Sequence, residues 1–147
     1  MTVPAPPLNE TDRTILSGVM DRLAPPIDDL PGAGAMGLAP EVDALARQHP
    51  PYHRALGVVI GKLAPHWSAP LPPAQKDALL RDLEAADGAA FNAVLELVYL
   101  AYYGDPRVHR RVGWRGGPLQ PQGFPLAAFK PEILQAARKR RPFWRQT

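Results

Sequence analysis

Proline recurs so often along this chain that long, uninterrupted strands or helices are not expected. The sequence has 147 residues, of which 19 are proline and none is cysteine. Many of the prolines lie in pairs, at 6–7, 25–26, 50–51 and 72–73. Proline lacks the backbone N–H that a helix interior or a central strand needs, but it fits the first turn of a helix. The pattern therefore predicts short helices joined by stiff connectors rather than a large sheet.

The apolar residues between these prolines recur at three- and four-residue steps, which is typical of amphipathic helices. No alternation of period two stands out, and 46% of the residues are hydrophobic, enough for one core. The predicted helices run from Asn9 or Thr11 to Leu23, over 40–48, from Pro51, from Pro72–Pro73, over 89–103 and over 131–140. We therefore predict an all-α fold, a compact bundle of five to six short helices. Residues 1–8 are expected to be a flexible lead-in, and 9–147 a single domain.

The segment from Tyr99 to Pro125 carries the clearest indication of function. The predicted helix over 89–103 ends at Gly104, and about twenty residues follow before another helix can begin, a length that is usually functional or disordered. Disordered segments are poor in large aromatics. This one contains Trp114 and Phe124, spaced by glycines and prolines that favour turns. We expect a long ordered loop that wraps a partner protein.

The helix over 89–103 also has two distinct faces. Phe91, Val94, Leu95, Val98 and Tyr102 form one face, which is expected to be core. The other is a stripe at steps of four, three and four: Asn92, Glu96, Tyr99 and Tyr103. A carboxylate in so apolar a run needs a partner if it is buried. Two interpretations remain open: an internal ion pair between the carboxylate and an arginine at 107, 110, 111 or 115, or a polar-aromatic patch that faces a partner.

Glycines at 32, 34 and 37 spell G-x-G-x-x-G, the pattern of a dinucleotide-binding loop. Such a loop needs a hydrophobic strand before it, whereas Asp28-Asp29-Leu30-Pro31 stands here. The two carboxylates would also repel a pyrophosphate. The glycines are therefore interpreted as part of a turn-rich loop.

Other candidate sites are equally incomplete. His49 and His53 are four residues apart, but the chain has no thiolates and no clustered acids to complete a metal site. Ser17 and Ser68 lack the flanking glycines of a nucleophile elbow. No catalytic residue, metal ligand or cofactor-binding residue is predicted in this chain.

Positive charge is concentrated in the last third of the sequence, although the net charge is only +3. The stretch 138–145 reads Arg-Lys-Arg-Arg-Pro-Phe-Trp-Arg. Its arginines and Trp144 are types enriched at protein interface hot spots, which favours a tail docked on a partner. The alternative is a nucleic-acid-binding helical domain that uses the same basic and aromatic groups for phosphates and base stacking.

No apolar run approaches the roughly 18 residues that a membrane-spanning helix requires. The N-terminus, MTVPAPPLNETD, is acidic and proline-rich and lacks the features of a secretory signal. The expected location is therefore the cytoplasm. The alternative is the periplasm, reached by a trimmed chain or by export together with a partner.

Three segments, in order, resemble blocks of one known family. They are Leu23 to Ala33 followed by Gly37-Leu38-Ala39, then Leu71 to Leu80, and finally the helix over 89–103 with Tyr103-Gly104-Asp105-Pro106, Gly113-Trp114 and Gly123-Phe124-Pro125. Together they span about residues 15–125, and the chain resembles the gluconate 2-dehydrogenase subunit 3 family. Members are small subunits of bacterial flavin-dependent gluconate, glucose and fructose dehydrogenases.

The resemblance implies a non-catalytic helical subunit bound to a large FAD-dependent subunit of the glucose–methanol–choline (GMC) oxidoreductase type. FAD and the catalytic base belong to that large subunit, through which an electron-accepting cytochrome could be reached. No bound cofactor and no nucleic acid are expected for this chain. The family's loop after Asp-Pro is often rich in glycine and asparagine, whereas this one carries arginines, so its partner surface is expected to be more acidic or approached by substrate. The expected interface residues are Tyr99, Tyr103, Asp105, Arg107, Trp114, Arg115, Phe124, Pro125 and Trp144.

Overall fold

A computed structural model of the chain describes residues 6–67, 70–117, 123, 125 and 128–140. It falls into two units, Met1–Arg115 and Gly116–Thr147. The first unit contains α1 (Glu10–Leu23), α2 (Ala39–Gln48), α3 (Pro50–Trp67), α4 (Pro73–Ala86), α5 (Gly88–Gly104) and α6 (Pro106–Arg111). The second contains α7 (Glu132–Arg138). Every regular element of the described residues is helical, which confirms the all-α prediction.

The helix starts follow the local signals in the sequence. Asn9 caps α1, because its side chain accepts a hydrogen bond from the backbone N–H of Asp12 at 2.9 Å. The N-terminal turns of α2 and α4 each contain proline, as expected of a residue with no N–H to leave unpaired. The predicted starts of α1 to α5 agree with the observed starts to within a residue or two.

The core of the first unit is built around α3 and α5. Helix α5 packs against each of α1, α2, α3, α4 and α6, and α3 packs against α1, α2, α4 and α5. The expected inner face of α5 is buried, except for Leu95, which is only half-buried at its edge. The largest fully buried side chains come from α1, α2, α3, α5 and α6: Leu16, Val19, Met20, Val42, Leu56, Val59, Val94, Leu97, Val98 and Val108.

The glycine-rich segment before α2 packs directly on α1. A Cβ atom at Gly34 would lie 1.9 Å from the backbone oxygen of Ser17, and one at Gly32 would lie 2.4 Å from Oδ1 of Asp21. The Ala35 backbone N–H donates to the same Oδ1 at 2.9 Å. Since only glycine permits such close approach, the spacing of these glycines has a packing explanation.

The prediction of a helix-free run after Gly104 is wrong for the first part of that run, because α6 begins at Pro106. The side chain of Asp105 accepts a hydrogen bond from the backbone N–H of Arg107 at 2.7 Å, and Val108 anchors the helix in the core. Asp-Pro is a helix-start signal, an N-cap residue followed by proline at the first helical position. Further along, the described Gly113, Gly116, Gly117 and Gly123 all have positive φ, as turns require.

Candidate partner-binding surface

Helix α5 presents a second, exposed stripe on the side away from the core. Its members follow one another at steps of three, one, three, one and three residues, the spacing of a helix-packing seam. They line an open groove of about 610 Å³ that ends at Gly104. We call this set the outer stripe; it consists of Asn92, Leu95, Glu96, Tyr99, Leu100 and Tyr103.

Four of the six side chains of the outer stripe are apolar or aromatic, and the largest of them are accessible. Tyr99 is 42% exposed, Leu100 54% and Tyr103 57%. Helix α5 therefore has large apolar side chains on two sides, and the described part of the chain covers only one of them. A helix that is hydrophobic around most of its circumference is normally buried on all those sides, so the stripe has the character of an interface.

The aromatic rings of the stripe are held in place by one another. The Tyr99 and Tyr103 rings meet edge-on with centroids 6.0 Å apart, and the Tyr102 and Tyr103 rings do the same at 5.2 Å. Tyr102 is itself buried in the core. Edge-to-face contacts of this kind stabilise ring orientation, so Tyr103 is presented to solvent by a neighbour that cannot move freely.

Trp114 extends the aromatic surface beyond the end of α5. The N–H of Trp114 donates to the carbonyl of His109 at 2.9 Å, and the N–H of Gly113, which has φ +73°, donates to that of Arg110 at 3.2 Å. These two bonds form a Schellman motif that ends α6. The Trp114 ring stands edge-on to the His109 ring at 4.2 Å, and Nε2 of His109 lies 2.6 Å from the Tyr103 carbonyl. His109 therefore links Trp114, which is 41% exposed, to the stripe.

Glu96 has a different partner from the one expected. The Tyr52 hydroxyl, on α3, donates to Oε2 of Glu96 at 2.7 Å. This hydrogen bond to the carboxylate raises the pKa of Tyr52, and desolvation of the phenol adds to the shift. Among the described residues no arginine pairs with Glu96, so the interpretation of an internal ion pair with an arginine at 107, 110, 111 or 115 is wrong.

Asp105 and Arg107 form a clamp within the chain. Nε and Nη2 of Arg107 donate to the two carboxylate oxygens of Asp105 at 2.9 and 2.8 Å, and Nη2 also donates to the Met36 carbonyl at 3.0 Å. The hydrogen bonds from Arg107 lower the pKa of Asp105 and raise the pKa of Arg107 in return. These two predicted interface residues thus tie α6 to the segment before α2.

A second cleft, of about 530 Å³, lies beside this clamp. It is lined by Asp29, Leu30, Pro31, Arg107, Arg110 and Arg111. Arg111 pairs with Asp28 and, at 3.7 Å, with Asp29. Carboxylates at positions 28, 29 and 105 thus pair with two of the three arginines and offset part of the positive charge beside the cleft.

The structure brings Tyr99 and Tyr103 into one groove, connects Trp114 to Tyr103 through His109, and pairs Asp105 with Arg107. Arg115 and Pro125 are exposed. The predictions at Phe124 and Trp144 lie outside the described residues. Sequence reasoning missed Leu100 and His109; the steps of three and four that select Tyr99 and Tyr103 also select Leu100.

Two other kinds of site are absent from the part of the chain that the structure describes. It holds no group of three or more His, Asp or Glu side chains placed to bind a metal ion. None of its helices is long and apolar enough to cross a membrane. Comparison of the chain with protein-family models, curated proteins and solved structures finds no match.

Proposed function

We propose that this chain is a non-catalytic accessory subunit of a heteromeric FAD-dependent sugar or alcohol dehydrogenase of the GMC type. It binds the flavin-bearing large subunit through the outer stripe and Trp114, and stabilises that subunit. The observation that carries the proposal is the exposed apolar and aromatic face of α5. The identity of the partner rests on the resemblance of three sequence segments to the small-subunit family.

The energetics favour a bound state for this face. Large contiguous apolar patches are uncommon on the surfaces of monomeric proteins and mark interaction sites. Tyrosine, tryptophan and arginine are enriched among interface hot spots, where truncation costs about 2 kcal/mol or more. Tyr103 and Trp114 are already oriented by Tyr102 and His109. Little side-chain freedom is therefore lost on binding, which favours affinity.

In this proposal the two subunits have different roles. The large subunit holds FAD, the catalytic base and the route to the electron acceptor. The small subunit binds the folded large subunit and not its unfolded chain, so it raises the stability of the large subunit by mass action. Where the complex functions, in the cytoplasm or in the periplasm after joint export, depends on the signals that the partner carries.

The test is a pull-down from the native host with the tagged full-length chain, followed by an absorption spectrum of the eluate. A stoichiometric larger protein with a flavin band is the expected result. Leu100→Asp should abolish its recovery, because it replaces an apolar contact of the stripe with a carboxylate that docking would desolvate. Val58→Asp is the matched control: Val58 is an apolar residue of α3 that is 40% exposed and lies outside the stripe.

A colourless eluate that contains only the tagged chain would contradict the proposal. The nucleic-acid alternative would then be tested with a single-stranded oligonucleotide. Binding that weakens steeply with salt, and is lost when Arg138, Arg140 and Arg141 are changed to alanine, would support that alternative.

A further inference from the structure

We infer that the outer stripe receives an α-helix of the large subunit, packed along α5, and that this helix places a lysine or arginine side chain against Glu96. The inference rests on the proposed function, because it names the part of the large subunit that makes the contact. It adds both the kind of element that docks and the charge that this element must carry.

The spacing of the stripe argues for a helix as the docking element. Its residues run from Asn92 to Tyr103 and lie on one helix, α5. At 1.5 Å per residue they span about 17 Å, or three helical turns. Two neighbouring rows of side chains along a helix form the ridges and grooves into which a second helix packs. Docking of an amphipathic helix on such a surface uses anchors at the same three- and four-residue steps.

Glu96 argues for a cation on that helix. It is the one charged side chain among the residues that line the groove. The Tyr52 hydroxyl binds only Oε2, and none of the described lysines or arginines pairs with the carboxylate. A docked helix would remove water from this carboxylate. That desolvation is unfavourable unless a positive side chain of the partner replaces the water.

The same carboxylate argues against two other occupants. A two-fold pairing of two copies through the stripe would bring both Glu96 side chains into one interface with no cation between them. A nucleic-acid backbone would also meet a negative charge at this position. The stripe is therefore suited to a basic, amphipathic helix of a different protein.

Two substitutions at one position separate charge from shape. Glu96→Lys reverses the charge, Glu96→Gln removes it with nearly the same shape, and Glu84→Lys makes the same reversal on the exposed side of α4 as a control. Binding of the full-length variants to the purified flavin-containing large subunit is measured by interferometry. Glu96→Lys should weaken binding about 100-fold through like-charge repulsion. Glu96→Gln should weaken it about 5-fold and reduce its dependence on salt, and Glu84→Lys should bind within about 2-fold of the wild type.

Cross-linking identifies the docked element directly. A photoreactive amino acid at position 100 should label a helix of the large subunit that carries lysine or arginine. Reversal of that basic residue to glutamate should restore binding to Glu96→Lys. Thermal unfolding of each variant alone tests whether it remains folded.

The outcomes separate the two proposals. If Glu96→Lys binds the large subunit as tightly as Glu84→Lys does, or if the cross-link falls on a strand or loop, the inference is wrong while the accessory-subunit function stands. If the wild-type chain binds no flavoprotein, both proposals fail. Self-association that sedimentation detects, and that Leu100→Asp abolishes, would make a second copy the occupant and overturn the inference.

Discussion

Substitution of Gly34 by alanine tests the most demanding contact in the fold. The added Cβ would lie 1.9 Å from the backbone oxygen of Ser17, 2.6 Å from its carbonyl carbon and 3.0 Å from Cγ of Asp21. Two of these three atoms belong to the backbone of α1 and cannot move aside by a change of rotamer. The segment before α2 must therefore lift away from α1.

The magnitude follows from what that movement disrupts. Overpacking of a well-packed site costs about 1–3 kcal/mol. Lifting the segment also breaks the hydrogen bond from the Ala35 N–H to Asp21 and loosens the buried Met36; a lost hydrogen bond adds about 1 kcal/mol. We expect the free energy of unfolding to fall by about 3 kcal/mol, a large part of the 5–15 kcal/mol typical of a domain.

Urea unfolding followed by circular dichroism measures the change, with Gly57→Ala as the control. Gly57 lies in the interior of α3, and no atom outside its own helical turn lies within 4 Å of the point that a Cβ would occupy. Alanine there should stabilise the protein by about 0.5–1 kcal/mol because of its higher helix propensity. Substitutions at surface sites without special contacts usually change the free energy of unfolding by less than about 0.5 kcal/mol. If the free energy of unfolding of Gly34→Ala differs from that of the wild type by no more than this, the packing explanation of the glycine pattern is refuted.

Three further predictions follow from other contacts. Trp114→Ala should weaken the complex with the large subunit by about 2 kcal/mol or more and leave the helicity of the free chain unchanged by circular dichroism; loss of helicity without loss of binding would make it a core residue. Asp105→Ala removes the N-cap of α6 and should lower the free energy of unfolding in urea by about 1 kcal/mol; an unchanged value would contradict that role. Nε and Nη2 of Arg22 donate to the two carboxylate oxygens of Asp77 at 2.7 and 2.8 Å, and these hydrogen bonds lower the pKa of Asp77 below its ordinary 3.8. The pair therefore stabilises the fold above pH 3.8 and loses this effect as the pH falls through the lowered pKa. Asp77→Asn should be less stable than the wild type at pH 7, with a difference in urea midpoint that shrinks below pH 3.8; a constant difference would argue against the pair.

The helical content and most helix starts could be predicted from the sequence, because both depend on nearby residues. Asn9 caps α1 by accepting from the N–H of Asp12, only three residues later in the chain, and proline occupies the first turns of α2 and α4. Helix α6 obeys the same local rule at Asp105 and Pro106. The many glycines and prolines between Gly113 and Pro125 favour a loop. In a prediction from sequence they outweigh the single helix-start signal at Asp105 and Pro106.

The partner of Glu96 could not be predicted in the same way. Stripe spacing shows that the carboxylate shares a face with Tyr99 and Tyr103, but Tyr52 is 44 residues away on another helix. Nothing in the local pattern favours this tyrosine over the nearby arginines. Two of those arginines pair instead with Asp105 and with Asp28, which is 83 residues from Arg111.

The sequence by itself determined most of the helical segments, where most of them begin and which face of α5 packs in the core, since hydrophobic spacing, capping and proline geometry act over a few residues. Only the tertiary structure decided that the glycines at 32 and 34 press against α1, that Glu96 binds a tyrosine, and that His109 connects Trp114 to Tyr103. These features depend on which helices pack together. Packing is a property of side chains far apart in sequence, and the same local pattern is compatible with several such arrangements.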